Sequence, residues 1–344
     1  TFTSRTVFTT GMKSGFYING YYVANAYAST DTIHWTKRTV PYNCDTYSGS
    51  SYSGTYQGAI NSDGTEAIMY MNGYSLYHTT DSIHWRIRTT PFGCNPSCSN
   101  YCYVNGVDYM TNGEWSVAGC GFISISTDTI HWVLRTAGGC SGGIPKIHGV
   151  VYGNNTYLAA GHCCQYIATS TDSIAWTLRT RPEGLGSDSN PYTPAYGNGM
   201  FVLTGYAAFA YSTDGISWVG NCVGHGHYKY GVRYHEDLEQ FYALDYYDKI
   251  WSSKDGKSWT CTCVGGGSCT TSYFIGPLGD KMFFSSSCTN YLGYVMTTDL
   301  KQGFYPGLKG NTGAGGGGGS YYSPTRSTQK GGEGGDGYVR INWK

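Results

Sequence analysis

The segment Ser126-Thr127-Asp128-Thr129-Ile130-His131-Trp132 has five close copies elsewhere in the 344-residue chain, and all six align without gaps. Every copy places a tryptophan four residues after an aspartate: Asp31 and Trp35, Asp81 and Trp85, Asp128 and Trp132, Asp172 and Trp176, Asp214 and Trp218, Asp255 and Trp259. A seventh segment, Thr297-Thr298-Asp299, keeps the polar turn but has no tryptophan. Successive aspartates are 50, 47, 44, 42, 41 and 44 residues apart. A repeat of this length predicts one four-stranded β-propeller blade, not a pair of helices.

The sequence between these segments agrees with a blade. In residues 195–205 a short strand meets an Asn-Gly turn at Asn198 and continues into an apolar strand. A third strand is expected from Phe209 to Tyr211, and a fourth begins at Trp218. No stretch has a sustained helical period, so the chain is predicted to be all-β.

The repeated phrase resembles the Asp-box (BNR) repeat of sialidase-like, sortilin-like and photosystem-assembly-factor-like β-propellers, and the resemblance covers residues 1–306. It implies structural roles: the aspartate accepts backbone N–H groups, the Ser or Thr hydroxyl closes the turn, and the tryptophan packs between blades. His34, His84 and His131 occupy a position where other copies have Ala175 or Ser217. They are therefore expected to be exposed turn residues, not ligands.

The N-terminus predicts how the ring closes. Residues 2–7 match residues 35–40, the fourth strand that follows the first repeat. A seven-bladed propeller over residues 1–306 is therefore expected, with the N-terminal strand completing the blade that begins before Asp299. Such closure hides the sheet edges.

Residues 307–344 form a glycine-rich tail that ends in the strand-like segment Tyr338–Trp343. Val339, Ile341 and Trp343 alternate with polar residues, so they share one face. The tail resembles the glycine-rich C-termini of phage tail-fibre and other extracellular proteins. We expect Tyr338, Val339, Ile341 and Trp343 to form an assembly strand that pairs with a neighbouring subunit. The alternative is a fifth strand on the last blade of its own ring.

Composition narrows the partners and the compartment. Lys plus Arg equals Asp plus Glu at 22 each, which predicts no electrostatic attraction to nucleic acid. No apolar run is long enough to span a membrane. The 13 cysteines favour disulfides and an extracellular location, secreted or on a virion or cell surface.

Only the segment 224–227, with His225 and His227, looks like a zinc ligand cluster, and neither metal nor cofactor is expected. The sequon Asn154-Asn155-Thr156 predicts N-glycosylation of Asn154.

Three classes of function remain. Low charge, zero net charge and a surplus strand favour a non-catalytic structural protein that self-assembles into a filament or fibre. The first alternative is a glycan- or receptor-binding adhesin that uses loop tyrosines, namely Tyr47, Tyr52, Tyr56, Tyr101, Tyr103, Tyr192, Tyr228, Tyr230, Tyr246 and Tyr247. The second is a sialidase-like glycosidase, for which Glu236 and Glu239 are the candidate carboxylates. No enzyme activity is expected.

Overall fold

The fold is known from a computed structural model. The residues that the structure describes are 2–6, 15–24, 27–31, 33–39, 57–71, 75–88, 104–136, 146–162, 166–185, 193–222, 229–245, 249–263, 272–278, 281–286, 291–296 and 341–343. Within these ranges the elements are β-strands and one 3-10 turn, Glu236–Leu238. They contain no helix long and apolar enough to cross a membrane.

Six sheets have four antiparallel strands in sequence order, and we number these blades along the chain. Blade 1 comprises β2 (Gly15–Ile18), β3 (Tyr21–Ala24), β4 (Tyr27–Ser29) and β5 (Thr36–Lys37). Blade 2 comprises β6 (Gln57–Ile60), β7 (Ala67–Met71), β8 (Ser75–Thr79) and β9 (Arg86–Arg88). Blade 3 comprises β10 (Val104–Tyr109), β11 (Trp115–Gly119), β12 (Phe122–Ser126) and β13 (Val133–Thr136).

The other three regular blades follow the same plan. Blade 4 comprises β14 (Lys146–Gly153), β15 (Thr156–His162), β16 (Ile167–Ser170) and β17 (Thr177–Leu178). Blade 5 comprises β18 (Ala195–Gly197), β19 (Met200–Thr204), β20 (Ala208–Ser212) and β21 (Val219–Cys222). Blade 6 comprises β22 (Lys229–His235), β23 (Gln240–Asp245), β24 (Lys249–Ser253) and β25 (Thr260–Cys263).

The prediction of seven four-stranded blades is wrong, because only six sheets of the described chain have that form. The remaining sheet has five strands in the order β26-β27-β28-β1-β29. Its strands are β1 (Phe2–Thr6), β26 (Ser272–Leu278), β27 (Lys281–Ser286), β28 (Tyr291–Met296) and β29 (Ile341–Trp343). We call it the composite sheet, because both ends of the chain contribute to it.

The two chain ends meet side by side in the composite sheet. β1 is antiparallel to β28, and Phe2–Ser4 pair in parallel with Ile341–Trp343. β29 therefore lies against β1 of its own chain, the arrangement that the sequence left as an alternative. Its physical advantage is that β29 covers the N–H and C=O groups that β1 would otherwise expose as an edge. The proposed boundary at residue 306 lies outside the described residues.

The first strand of each sheet surrounds a central channel. β2, β6, β10, β14, β18, β22 and β26 contact one another in this order, and β2 also contacts β26. The fourth strand of each regular blade is farthest from the channel in sheet order. The first strands therefore lie next to the channel, whereas the fourth strands form the periphery.

Apolar side chains fill the space between adjacent blades. One cluster joins Phe16 and Val23 of blade 1 to Met69 and Trp85 of blade 2. Bare backbone is needed where first strands pack: a Cβ added to Gly197 of blade 5 would lie 2.1 Å from the Tyr234 ring of blade 6. The core is thus a series of interblade layers, as expected when each blade buries its faces against its neighbours.

Candidate functional site

The six repeated segments form nearly identical turns between the third and fourth strands of their blades. In each turn the aspartate Oδ1 accepts two backbone N–H groups, from the second and third residues that follow, at 2.7–2.9 Å. In blade 5, for example, Ile216 and Ser217 donate to Asp214, and the Ser212 hydroxyl also donates to Asp214 at 2.8 Å. The aspartate therefore organises the backbone of its own turn.

These hydrogen bonds hold the pKa of all six turn aspartates below the ordinary value. The Ala175 N–H, followed by that of Ile174, lowers the pKa of Asp172. Burial raises the pKa of Asp81, but hydrogen bonds from His84 and Ile83 outweigh it, and the pKa falls to about 2. The carboxylates are thus ionised at neutral pH and serve as fixed acceptors.

Three turns also contain a histidine paired with the turn aspartate. Nδ1 of His34, His84 and His131 lies 2.6 Å from Oδ2 of Asp31, Asp81 and Asp128, respectively. The three histidine side chains are 82–85% exposed, as surface turn residues would be. No group of three or more metal-ligating side chains occurs among the described residues. His225 and His227 lie outside those residues.

The turn tryptophans connect each turn to the interblade core. Trp259 of blade 6 stacks on Phe209 of blade 5, with ring centroids 3.7 Å apart and planes at 5°. Trp85 of blade 2 lies 6.1 Å from Phe16 of blade 1. In four blades the indole N–H also donates to a turn carbonyl at 3.0–3.1 Å. Each such tryptophan fixes a turn to the core beneath it.

In blades 1, 4 and 5, an asparagine in the turn between the first and second strands donates a hydrogen bond to the repeated turn of the next blade, a contact that we call the asparagine clasp. The Asn19 amide donates to the Thr80 carbonyl at 2.6 Å, and the Asn198 amide donates to the Lys254 carbonyl at 3.4 Å. In both cases the acceptor directly precedes the aspartate of the next blade. From the sequence, Asn198 was expected only to form a turn. The recurrence of an asparagine between the first and second strands is the signal that could have revealed this contact.

Asn154 makes the same clasp with more bonds. Its amide donates to Thr213 O at 2.8 Å and to Gly199 O at 3.1 Å, and its Oδ1 accepts the Tyr196 hydroxyl at 2.8 Å. N-glycosylation would replace one of the two amide hydrogens that make these bonds. N-glycosylation of Asn154 stays a prediction, and it would cost one of these hydrogen bonds.

Exposed apolar side chains are concentrated on one part of the molecule. The described part of the chain has eleven large apolar residues that are exposed, and all but Tyr206 lie in the repeated turns or on fourth strands: Ile33, Ile83, Ile87, Ile130, Val133, Leu134, Ile174, Leu178, Ile216 and Val219. We call these turns and fourth strands of blades 1–6 the outer edge. Blades 1–5 each contribute an isoleucine from the turn, so the apolar surface recurs around the ring.

The outer edge also carries both signs of charge. Lys37 and Arg86 are exposed on fourth strands, and none of the six fourth strands contains an Asp or Glu. The turn aspartates supply the negative charge: the side chains of Asp31, Asp81 and Asp128 are 40–43% exposed. Two outer edges can therefore place opposite charges beside apolar contacts.

Several predicted site residues lie outside the described residues. They are Asp299, Tyr338, Val339 and the loop tyrosines, except that the backbone of Tyr230 belongs to β22. Glu236 begins the turn between β22 and β23, and Glu239 ends it with a left-handed φ of 48°. Cys120 and Cys261 are the cysteines whose side chains are described, and no disulfide joins them. The disulfide-rich expectation has no support there.

The chain is a β-propeller, and comparisons with solved structures agree. Virginiamycin B lyase from Staphylococcus aureus has a TM-score of 0.65 at 13% identity, covering 86% of this chain and 99% of the lyase. YCF48 from Cyanidioschyzon merolae has a TM-score of 0.57 at 12% identity, with coverages of 86% and 99%. A GH74 xyloglucanase from Xanthomonas campestris has a TM-score of 0.57 at 13% identity, with coverages of 83% and 52%. No family model and no curated protein matches the chain.

These neighbours correct the expectation that the chain is not an enzyme. A lyase and a xyloglucanase share its fold, so propeller architecture gives no ground for excluding catalysis. Their identities of 13% mean that the likeness shows the fold alone. The Asp-box and tail-fibre resemblances are not supported by any of these matches.

Proposed function

We propose that this chain is an extracellular structural propeller that associates with copies of itself through its outer edge. The observation that carries the proposal is the segregation of exposed apolar residues: ten of the eleven found among the described residues lie on the outer edge. Soluble monomers generally keep large contiguous apolar patches off their surfaces. An apolar edge repeated from blade to blade is a surface that association would cover.

Energetics favour repeated edge contacts. Leu134 is 52% exposed and Leu178 is 48% exposed, so covering the exposed half of either contributes about 1 kcal/mol. Association costs at least several kcal/mol in lost freedom of motion, so one contact must cover several such side chains to offset this cost. The zero net charge removes the long-range repulsion that would oppose packing of identical chains.

Association is expected to depend on the propeller surfaces more than on the C-terminal strand. β29 already pairs with β1 of the same chain, so it contributes to assembly only by exchange between copies. An edge contact between different blades of two copies is heterologous, and its repetition in one direction yields a ring or an open filament. Both forms satisfy the proposed structural role.

The test is the double variant Leu134→Thr/Leu178→Thr, because threonine is β-branched and suits both strands while it removes apolar surface. Sedimentation velocity from 1 to 100 μM, followed by negative-stain microscopy, should show assembly of the wild type and at least tenfold weaker assembly of the variant. Tyr206→Thr is the matched control, since Tyr206 is exposed but lies off the outer edge. A monomeric wild type, or equal loss in the control, would contradict the proposal.

A further inference from the structure

We propose that the central channel contains a binding site for carboxylate ligands between Arg233 and Asp108. Asp108 lies on the first strand of blade 3, and Arg233 lies on the first strand of blade 6. Blades 4 and 5 separate these strands along the chain, so the pair reaches across the channel and does not join neighbouring blades. The distance from Arg233 Nη2 to Asp108 Oδ1 is 3.8 Å.

Both groups have unused hydrogen-bonding capacity. Within the described part of the chain, Asp108 accepts one hydrogen bond, from the Val150 N–H to Oδ2 at 3.3 Å. Arg233 Nη1 donates to the carbonyl of Val232 at 3.2 Å, which leaves most of its five N–H groups unused there. The 3.8 Å separation is too long for a direct hydrogen bond between the pair.

Burial makes this loose arrangement costly. The Asp108 side chain is 14% exposed and the Arg233 side chain is 28% exposed. Ion pairs removed from water offset their desolvation only when further hydrogen bonds satisfy them. Two buried ionisable groups with unused hydrogen-bonding capacity in a channel are therefore typical of a site that a ligand completes.

The wall beside Asp108 is tightly packed. A Cβ added to Gly149 would lie 3.0 Å from Asp108 Oδ2, 3.1 Å from Pro194 Cδ and 3.3 Å from Thr193 Cγ2. Glycine thus lets blade 4 approach the carboxyl group closely. This approach brings the Val150 N–H to Oδ2 and leaves Oδ1 toward Arg233.

The geometry selects an oxyanion. A separation of 3.8 Å between Arg233 Nη2 and Asp108 Oδ1 is compatible with a ligand oxygen about 2.6–2.8 Å from each of them. Arg233 then donates N–H groups, and Asp108 donates as a neutral carboxylic acid. Burial raises the pKa of Asp108 despite the nearby Arg233, which favours this neutral form. Carboxylate is the anion that suits a planar guanidinium fork.

Two substitutions test the assignment with opposite expectations. Asp108→Asn keeps an acceptor for Val150 and supplies an N–H donor in place of the acid, so acetate binding should be retained within about threefold. Arg233→Gln removes the cation, so acetate binding should weaken at least tenfold. Arg135→Gln, on a fourth strand, is the control and should bind as the wild type does.

Acetate titrations monitored by NMR at constant ionic strength, with chloride as the comparison anion, provide the measurement. Thermal melting checks that each variant is folded, and if Arg233→Gln unfolds, Arg233→Lys replaces it with the expectation of weaker binding. No saturable acetate shift in the wild type, or loss of binding in Asp108→Asn, would overturn the proposal. Hexapeptides with free and amidated C-termini identify the source: tighter binding of only the free form indicates a peptide terminus, and equal affinity of acetate and free peptide indicates a small acid.

Discussion

At the scale of single residues, the turn aspartate is the main determinant of local structure. Asp214 accepts the N–H groups of Ile216 and Ser217, as a helix-capping side chain does for the first turn of a helix. We predict that Asp214→Ala lowers the free energy of unfolding by about 1 kcal/mol, measured by urea denaturation. Asp214→Asn is the control, because its Oδ1 keeps the acceptor. An equal loss in both variants would show that charge, not acceptor geometry, matters.

The same residues predict the response to acid. A carboxylate whose folded pKa lies below its unfolded pKa contributes stability that is present above the unfolded value and is lost as pH falls through the folded value. For Asp81 this window runs from the ordinary pKa of 3.8 down to about 2. We predict that the urea midpoint falls steeply between these pH values and less steeply in Asp81→Asn. A slope unchanged by this substitution would assign the acid sensitivity to other groups.

At the scale of structural elements, the asparagine clasp couples neighbouring blades. Asn154→Asp keeps the carbonyl oxygen and tolerates the left-handed φ of 46°, but it loses both amide donors and faces two carbonyls with a negative charge. We predict a loss of about 1–2 kcal/mol in unfolding free energy, measured in urea. Asn155→Asp, at a similar φ of 57°, is the control and should change stability less. A larger loss in Asn155→Asp than in Asn154→Asp would contradict a stabilising role for the asparagine clasp.

At the scale of the whole molecule, the composite sheet brings both ends of the chain together. Removing residues 307–344 deletes β29 and leaves β1 as an exposed edge. We predict that the truncated protein keeps the β-rich circular dichroism spectrum and the outer-edge association of the full chain, measured by sedimentation velocity. Disappearance of assembly from a folded truncated chain would instead indicate exchange of β29 between copies.

The repeat by itself determined the all-β class, the propeller fold and the place of each turn, because hydrogen bonds within a turn depend on residues two or three positions apart. The roles of Asp214, Ser212 and their neighbours in the turn can therefore be predicted from the sequence. The exposure of His34, His84 and His131 follows from the same local pattern.

The tertiary structure alone decided the contacts between distant segments. The pairing of Phe2–Ser4 with Ile341–Trp343, the clasp of Asn154 on Thr213 and the approach of Arg233 to Asp108 each join residues from different blades or from opposite chain ends. No local period encodes such contacts, because ring closure, not sequence spacing, brings these segments together. The number of regular blades was predicted wrongly for this reason: the last sheet, whose repeat lacks the tryptophan, is completed by strands from both ends of the chain.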